Sequence, residues 1–432
     1  MSLATSFLNF TLESIFNMRP ITSFLIFSVL ALTGCSKSGI DPPPGSIYAI
    51  LDSASTISDS LIKKMEGIYT LSSGSDALGS QFVCKTSKTA VSFFSNKGGI
   101  YIILHYGLVA SDSSIQFAGF WRYSESSTQG PIHFCIPSAS GARDFITKGI
   151  ARSLVLQGNL TSPSGPGPNI SLQYNRPFST YAQVNPFLIF AHHGVQTTDD
   201  PPYTENSLWG VIHDQDYGVN GLEFDVHLTA DSVPICVHDE DIEPRVTEKG
   251  PVSGDYNQYT FSFLDSFVRL TDGEKIPSVK QVLDAFVDST TLTYFWLDIK
   301  GDPNIFEYLE PVVREAYDRA TRTGRQVVIF ADLTTEAVIR EFKAWPSYAD
   351  LPTLCEVSLD DAIQNRCAYW GPRYSLGLLT DQVEKAHSQG LKVFSWTLND
   401  KALIDDYLAN GKFDGFITDY PAYVVYDYYT MN

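Results

Sequence analysis

A regular alternation of strand-like and helix-like segments in the second half of the chain limits its fold more than any other feature. Eight short apolar segments are typical of buried parallel strands, and they lie at residues 187–191, 221–228, 294–299, 326–331, 352–357, 368–370, 391–397 and 413–418. Amphipathic helical segments separate most of them. Eight such units in about 250 residues predict an α/β fold, a (β/α)8 TIM barrel, with functional residues at the carboxyl ends of the strands. We assign residues 179–432 to this barrel.

The first half of the chain has a different pattern. Residues 46–178 contain short β-like segments that are separated by Gly, Ser, Pro and Asn. This pattern predicts a β-rich domain, an antiparallel sandwich or barrel, that precedes the TIM barrel. Its sequence contains no catalytic constellation, which favours a spacer, a substrate-presenting module or a carbohydrate binder over a second enzyme.

The N-terminal residues are typical of an export signal. Arg19 precedes the apolar segment "ITSFLIFSVLALTG", which is too short to remain as a membrane span. The order Leu-Thr-Gly-Cys at its end resembles the lipobox of bacterial lipoproteins, which implies a signal peptide at residues 1–34 and acylation of Cys35. Residues 35–45 then form a tether. We expect an exported protein that is lipid-anchored to a bacterial membrane, with the outer membrane favoured by Ser36; the alternative is a plain signal peptide with an incidental cysteine.

Charge and cysteine content limit the partners of the chain. Its 49 acidic and 30 basic residues give a net charge of −19, which disfavours nucleic acid as a partner and means that an anionic substrate needs a metal ion or well-placed cations. In an oxidising compartment, Cys84 with Cys135, or Cys355 with Cys367, could form disulfides. Cys236 would then remain a buried thiol.

Acidic side chains collect on two of the predicted strands. In "GLEFDVHL", Glu223 and Asp225 share one face of the strand, while the apolar residues between them face the helices. In "FWLDIK", Asp298 and Lys300 share a face in the same way. Buried carboxylates that lie close together need a cation between them, and oxygen ligands suit Ca²⁺ or Mg²⁺. We therefore expect one divalent cation at Glu223, Asp225 and Asp298.

Two histidines follow strands that end at the same mouth of the barrel. His192 ends the first strand, and His238 ends the short segment "PICVHD". Hydrolysis by general acid–base catalysis needs one group that removes a proton from the attacking oxygen and another that protonates the leaving group. Because imidazole titrates near neutral pH, His192 and His238 are the candidates for this acid–base pair.

These residues resemble the motifs of the glycerophosphodiester phosphodiesterase family over residues 186–425. The motifs appear in the family's order as "AHHG", "TENS", "LEFDV", "VHDED", "LDIKG", "SWTLND" and "ITDYP". The resemblance implies a TIM barrel that hydrolyses glycerophosphodiesters, with Ca²⁺ or Mg²⁺, to an alcohol and glycerol 3-phosphate. It also implies that Lys300 contacts the phosphate or the metal ligands, that Glu205 lies close to the metal, and that Trp396 lines the glycerol side of the pocket.

Three positions depart from the family pattern. His193 stands where the family has an arginine that contacts the phosphate, Thr204 replaces a proline, and Asp298 replaces a glutamate. We expect His193 to be a weaker or pH-dependent substrate contact because it is shorter than arginine and is charged only when protonated. Two alternatives stay open: a phospholipase-like barrel that releases a cyclic phosphate, and a degenerate surface lipoprotein that only binds.

Overall fold

The computed structural model describes residues 45–74, 78–126, 128–162, 165–194 and 203–431. The expected signal peptide, Cys35 and all but the last residue of the expected tether lie outside these ranges. Within them, no helix has the length and apolar character that crossing a membrane requires. All described residues belong to one compact structural unit.

Eight antiparallel strands in the first half of the chain close into a barrel in sequence order. They are β1 (Gly67–Ser73), β2 (Gln81–Thr86), β3 (Val91–Phe94), β4 (Tyr101–Val109), β5 (Ser114–Arg122), β6 (Gln129–Ile136), β7 (Val155–Ser162) and β8 (Gly165–Arg176). β8 pairs with β1 and completes the ring. Of the two architectures that we considered for this half, the structure contains the barrel.

Apolar side chains on alternate residues fill the interior of this first barrel. Phe117 on β5 lies opposite Phe134 on β6, and both are buried together with Leu156 on β7. Two short helices, α1 (Asp59–Ile62) and α2 (Ala142–Lys148), flank the barrel. α2 adds Phe145 to the same core, and this helix was not predicted from the sequence.

A second barrel of eight parallel strands occupies the second half of the chain, which confirms the TIM barrel. Its strands are β9 (Leu188–Ala191), β10 (Gly221–Leu228), β12 (Tyr294–Ile299), β13 (Val328–Leu333), β14 (Thr353–Cys355), β15 (Tyr369–Trp370), β16 (Lys392–Ser395) and β17 (Gly415–Thr418). β17 pairs with β9 and β9 with β10, so the ring is closed. A short strand, β11 (Pro234–Cys236), adds to β10 in the antiparallel direction.

Helices cover the outside of the second barrel. They are α3 (Thr180–Val184), α4 (Leu208–His213), α5 (Phe261–Phe267), α6 (Val279–Ser289), α7 (Ile305–Arg322), α8 (Glu336–Ala344), α9 (Leu359–Gln364), α10 (Thr380–Ser388), α11 (Lys401–Asn410) and α12 (Pro421–Met431). Side-chain caps define several of their starts. At α6, the Ser278 hydroxyl accepts from the N–H of Gln281, whose side chain accepts from the N–H of Ser278. This capping box satisfies backbone donors that would otherwise lack partners.

The strand alternation predicted from the sequence is confirmed on β10 and β12. Leu222 and Phe224 belong to the core between strands and helices, as does Leu297 on β12. Trp296, on the other face of β12, packs in the centre of the barrel with aromatic residues such as Phe190. The polar residues at the carboxyl ends of these strands therefore point into the barrel mouth.

Besides the core inside each barrel, one apolar cluster joins the two barrels, and α12 lies within it. Ile68 and Val83 of the first barrel cluster with Val424 and Val425 of α12. Farther along α12, the Tyr429 ring packs on Phe178 with centroids 4.2 Å apart. Such a continuous apolar contact fixes one barrel against the other.

All five described cysteines are free thiols. Cys84 lies in the core of the first barrel, whereas Cys135 is partly exposed and accepts a hydrogen bond from the amide of Gln116. Cys355 and Cys367 are both buried. The structure therefore contains neither of the disulfides that the sequence allowed, while Cys236 is a buried thiol as expected.

Candidate active site

A cavity of about 350 Å³ opens at the carboxyl ends of the second barrel's strands. It brings together most of the residues that were singled out from the sequence, namely His192, His193, Glu223, His238, Asp298, Lys300 and Trp396. Asp225 lies below its wall, fully buried. These residues come from five separate segments of the sequence, and they meet at the carboxyl-terminal mouth of the barrel.

Glu223, Asp225 and Asp298 form a compact triad. One carboxylate oxygen from each lies within 4.8 Å of the others. Asp225 and Asp298 are direct neighbours in the register of β10 and β12, which accounts for their proximity. Oε1 of Glu223 and Oδ1 of Asp298 are buried without a hydrogen-bond partner. Buried carboxylate oxygens without partners are costly, and a divalent cation would satisfy them, so the residues fit such an ion.

Among the described residues, Lys300 supplies a positive charge that contacts two carboxylates of the triad. Its Nζ lies 2.7 Å from Oδ1 of Asp225 and 2.8 Å from Oδ2 of Asp298. Burial opposes the charge of Lys300, but the two carboxylates outweigh it and raise its pKa above the usual range. Burial and then repulsion from Asp225 and Asp298 raise the pKa of Glu223 well above its usual value. One lysine therefore does not balance three buried carboxylates.

His192 is held by a carboxylate on the last strand's loop. Its Nδ1 lies 2.7 Å from Oδ1 of Asp419, and Oδ2 of Asp419 accepts a hydrogen bond from Asn399 at 2.5 Å. Burial lowers the pKa of His192, but the bond to Asp419 outweighs it, so the pKa lies above its usual value. With Nδ1 bound, Nε2 is the atom left for proton transfer.

His238 has a matching arrangement. Its Nδ1 lies 2.8 Å from Oδ1 of Asp239, whose Oδ2 accepts from Nη2 of Arg245 at 2.7 Å. The same guanidinium donates to Glu205 at 2.5 and 2.7 Å. Glu205 is therefore turned towards Arg245, and its nearest approach to the histidines is 4.0 Å, from Oε2 to Nδ1 of His193.

His193 lies between the two other histidines and above the carboxylates. Its ring centroid is 3.7 Å from that of His192 and 4.9 Å from that of His238. Its Nε2 lies 3.4 Å from Oδ2 of Asp225, and burial lowers its pKa to about 3. The backbone of His193 is left-handed, with φ 50°, and its N–H donates to Oε2 of Glu223. His193 also lines the cavity, so the substrate contact that we expect from the sequence stays a prediction, while burial disfavours the charged form of the ring.

The opposite side of the cavity is formed by Trp396, Trp296 and Glu356. Trp396 donates from Nε1 to the carbonyl of Gly371 at 2.8 Å, which fixes its ring at the cavity wall. Glu356 neighbours the fully buried Asp332, which accepts from Nε1 of Trp296 at 2.9 Å. Burial, followed by repulsion from Asp298, raises the pKa of Glu356 to about 8.

Several residues of the site were missed in the sequence. Asp239, Asn399 and Asp419 stand inside motifs that we quoted, yet no role was assigned to them. Arg245 and Glu356 lie outside those motifs. Their positions in the sequence could have indicated a role in the site. Glu356 directly follows β14 at the functional end of the barrel, and Asp239 directly follows His238.

Comparisons with known proteins point to one family. The model of the glycerophosphoryl diester phosphodiesterase family matches residues 198–295 and 339–423. The residues between these two segments, which include Asp298 and Lys300, lie outside that match.

Individual relatives match a similar part of the chain. A glycerophosphodiester phosphodiesterase from Caldanaerobacter subterraneus subsp. tengcongensis is 26% identical over 245 residues, which are 54% of this chain and 94% of that protein. One from Bacillus altitudinis is 25% identical over 244 residues, again 54% of this chain and 94% of that protein. A solved structure of a glycerophosphodiester phosphodiesterase from Parabacteroides distasonis is 23% identical, with a TM-score of 0.42, and covers 54% of this chain and 93% of its own.

Proposed function

The second half of the chain belongs to the glycerophosphoryl diester phosphodiesterase family, and from this we propose how its residues cleave a phosphodiester. The enzyme is a phosphoric diester hydrolase whose substrates are glycerophosphodiesters. The proposed products are an alcohol and glycerol 3-phosphate. The observation that carries the mechanism is that His192 and His238 line one cavity, each bound through Nδ1 to a carboxylate.

The two histidines divide the proton transfers. The oxygen of a water molecule forms a bond to phosphorus, and the bond from phosphorus to the alcohol oxygen breaks. Nε2 of one histidine accepts the proton of the water, and the protonated Nε2 of the other donates a proton to the departing alkoxide. Asp419 and Asp239 keep the two rings oriented through Nδ1, and Asp419 also stabilises the protonated form of His192.

Glu223, Asp225 and Asp298 would hold the divalent cation, for which the sequence suggests Ca²⁺ or Mg²⁺. When bound, the ion supplies positive charge for the non-bridging oxygens of the phosphoryl group. The unpartnered oxygens of Glu223 and Asp298 support this assignment. Lys300, which also lines the cavity, holds Asp225 and Asp298 in place and adds a fixed positive charge next to the phosphoryl group.

Trp396 is assigned to a substrate contact, and Glu205 to a supporting contact beside the site. The Trp396 ring forms a flat apolar wall against which the glycerol carbons can pack. Glu205 acts through Arg245 because its carboxylate is occupied by that guanidinium. Its role is therefore to support the loop that carries His238.

The reaction can be tested directly with phosphorus NMR. The purified protein is incubated with glycerophosphocholine, glycerophosphoethanolamine or glycerophosphoinositol, with and without a divalent cation. We expect glycerol 3-phosphate only with the cation, and a loss of rate of about 10² to 10⁴ in His192→Ala and in His238→Ala. Metal-independent turnover, or turnover that survives both substitutions, would refute the mechanism. A cyclic phosphate product would mean that a hydroxyl group of the substrate, and not water, attacks the phosphorus.

We further propose that the enzyme is exported and anchored at Cys35, with residues 46–178 and 179–432 as its two domains. The lipobox-like order of residues 32–35 supports the anchor. Expression in a bacterial host with labelled fatty acid tests it. We expect the natural protein to incorporate the labelled fatty acid and to be found in the membrane fraction, and Cys35→Ala to do neither. Incorporation of label into this variant would contradict the anchor at Cys35.

A further inference from the structure

We propose that His193 is a nitrogen ligand of the divalent cation, so that this site prefers first-row transition ions over Ca²⁺ and Mg²⁺. The inference rests on the cation site of the proposed function, at Glu223, Asp225 and Asp298. It assigns His193 to the metal, whereas its place in the sequence suggested a contact with the phosphate.

The distances place Nε2 of His193 where a shared ion would bind. It lies 3.4 Å from Oδ2 of Asp225 and 3.8 Å from Oε2 of Glu223. Ligand atoms that bind one ion at about 2.1 Å lie about 3 to 3.5 Å from each other, close to these values. His193 therefore needs only a small adjustment to share an ion with both carboxylates.

The imidazole is held in this position from several sides. The His193 N–H donates to Oε2 of Glu223 at 3.0 Å, which ties its backbone to a proposed ligand. The ring stacks on His192, and only 11% of the side chain is exposed. Nδ1 faces Glu205, so Nε2 faces the carboxylates. A side chain that is fixed in this way loses little entropy when it binds a metal.

The proposed donor set explains the predicted preference. Three carboxylates alone suit hard ions such as Ca²⁺ and Mg²⁺. An imidazole adds a softer nitrogen donor, which first-row transition ions accept more readily. The unpartnered Oε1 of Glu223 and Oδ1 of Asp298 show that the carboxylates also retain free ligand atoms. A mixed nitrogen and oxygen site is therefore the chemistry that these four side chains offer together.

Pulsed electron paramagnetic resonance on the Mn²⁺-loaded full chain tests the nitrogen ligand. We expect the coupling of one directly bound imidazole nitrogen. It should disappear in His193→Asn, which tolerates the left-handed backbone and supplies an amide oxygen, and in His193→Arg, which restores the family residue. His387→Ala, on the outer helix α10, is the matched control and should keep the coupling. Absence of coupling in the natural protein, or its persistence in both His193 variants, would overturn the inference.

Binding of Mn²⁺ and Ca²⁺ in calorimetry gives an independent readout. We expect His193→Asn to weaken Mn²⁺ by about 10- to 100-fold, as loss of a well-placed partner of a metal does, and to change Ca²⁺ much less. Equal losses for both ions would contradict the nitrogen ligand. Failure of the proposed function gives a different result. Hydrolysis without any divalent cation would contradict the proposed cation site, whereas cation-dependent hydrolysis without nitrogen coupling would contradict only the role of His193.

Discussion

The guanidinium of Arg245 binds Asp239 on the side opposite His238. Nη2 and Nε of Arg245 lie 2.7 and 3.1 Å from Oδ2 of Asp239, while Oδ1 of the same carboxylate contacts Nδ1 of His238. Arg245 is itself fixed by Glu205. A chain of charged contacts therefore runs from a buried glutamate to the ring that is proposed to transfer a proton.

Replacing Arg245 should reduce turnover without removing substrate binding. In Arg245→Met we expect kcat to fall about tenfold, less than the loss of about 10² or more expected for removal of an acid or base, with KM little changed. Nitrogen NMR of His238 should show a mixture of tautomers because Asp239 is no longer held. Arg314→Met, an exposed arginine of α7, is the control. A rise in KM at constant kcat would assign Arg245 to substrate binding.

Removal of the divalent cation should expose the repulsion within the triad. We expect a saturating cation to raise the free energy of unfolding by about 2.7 kcal/mol at one hundred times its Kd. Glu223→Gln should abolish this gain and raise the melting temperature of the metal-free protein, since it neutralises a buried carboxyl with an unpartnered oxygen. Calorimetric scans with and without chelator measure both effects. Asp318→Asn, on the exposed face of α7, should leave both unchanged.

Glu356 should make stability fall as pH rises. Its pKa is raised to about 8 in the fold, so between the ordinary value of 4.5 and about 8 the folded state binds more protons than the unfolded state. Stability is then lost with increasing pH through this window. We expect Glu356→Gln to be more stable than the natural protein at pH 8, by about 1 kcal/mol or more, and to lose this advantage at pH 4. An advantage that does not change with pH would point to packing alone.

Tyr429 should stabilise both barrels at once. Its ring is buried against Phe178, and its hydroxyl accepts from Nζ of Lys85 at 3.1 Å. Tyr429→Ala should therefore cost about 3 kcal/mol or more. Tyr181→Ala, at a residue that is 59% exposed, should cost much less. Chemical unfolding followed by fluorescence and circular dichroism should give coincident transitions; separate transitions for the two barrels would contradict a shared core.

The positions of the acidic residues in the fold could be predicted from the sequence. The bounds predicted for β10 and β12 agree with the structure, because β10 alternates between polar and apolar residues and β12 is a mostly apolar segment that ends before Lys300 and Gly301. The alternation of side chains along a strand also predicts that Glu223, Asp225 and Asp298 point to the inner face of the barrel. The position of His192 follows from the rule that parallel barrel strands end on one side, whereas His238 follows the antiparallel strand β11 and reaches the same cavity through the loop after it.

Other features depend on contacts that the sequence does not encode locally. The left-handed backbone of His193 turns its ring over the carboxylates, and no local pattern predicts a positive φ for histidine. Asp419 reaches His192, and Arg245 reaches Asp239 beside His238, from loops whose courses are set by tertiary packing. The position of α12 between the barrels depends on the surface of the first barrel, which the sequence of the helix itself does not encode.

The position of α12 also sets an order of events during synthesis. Every strand of both barrels precedes this helix, so the first barrel can close while the surface that α12 will cover, including Ile68 and Val83, is still open to water. An apolar surface of this kind is a site for premature association. We therefore expect a chain that is truncated before α12 to expose this apolar surface of the first barrel and to associate through it.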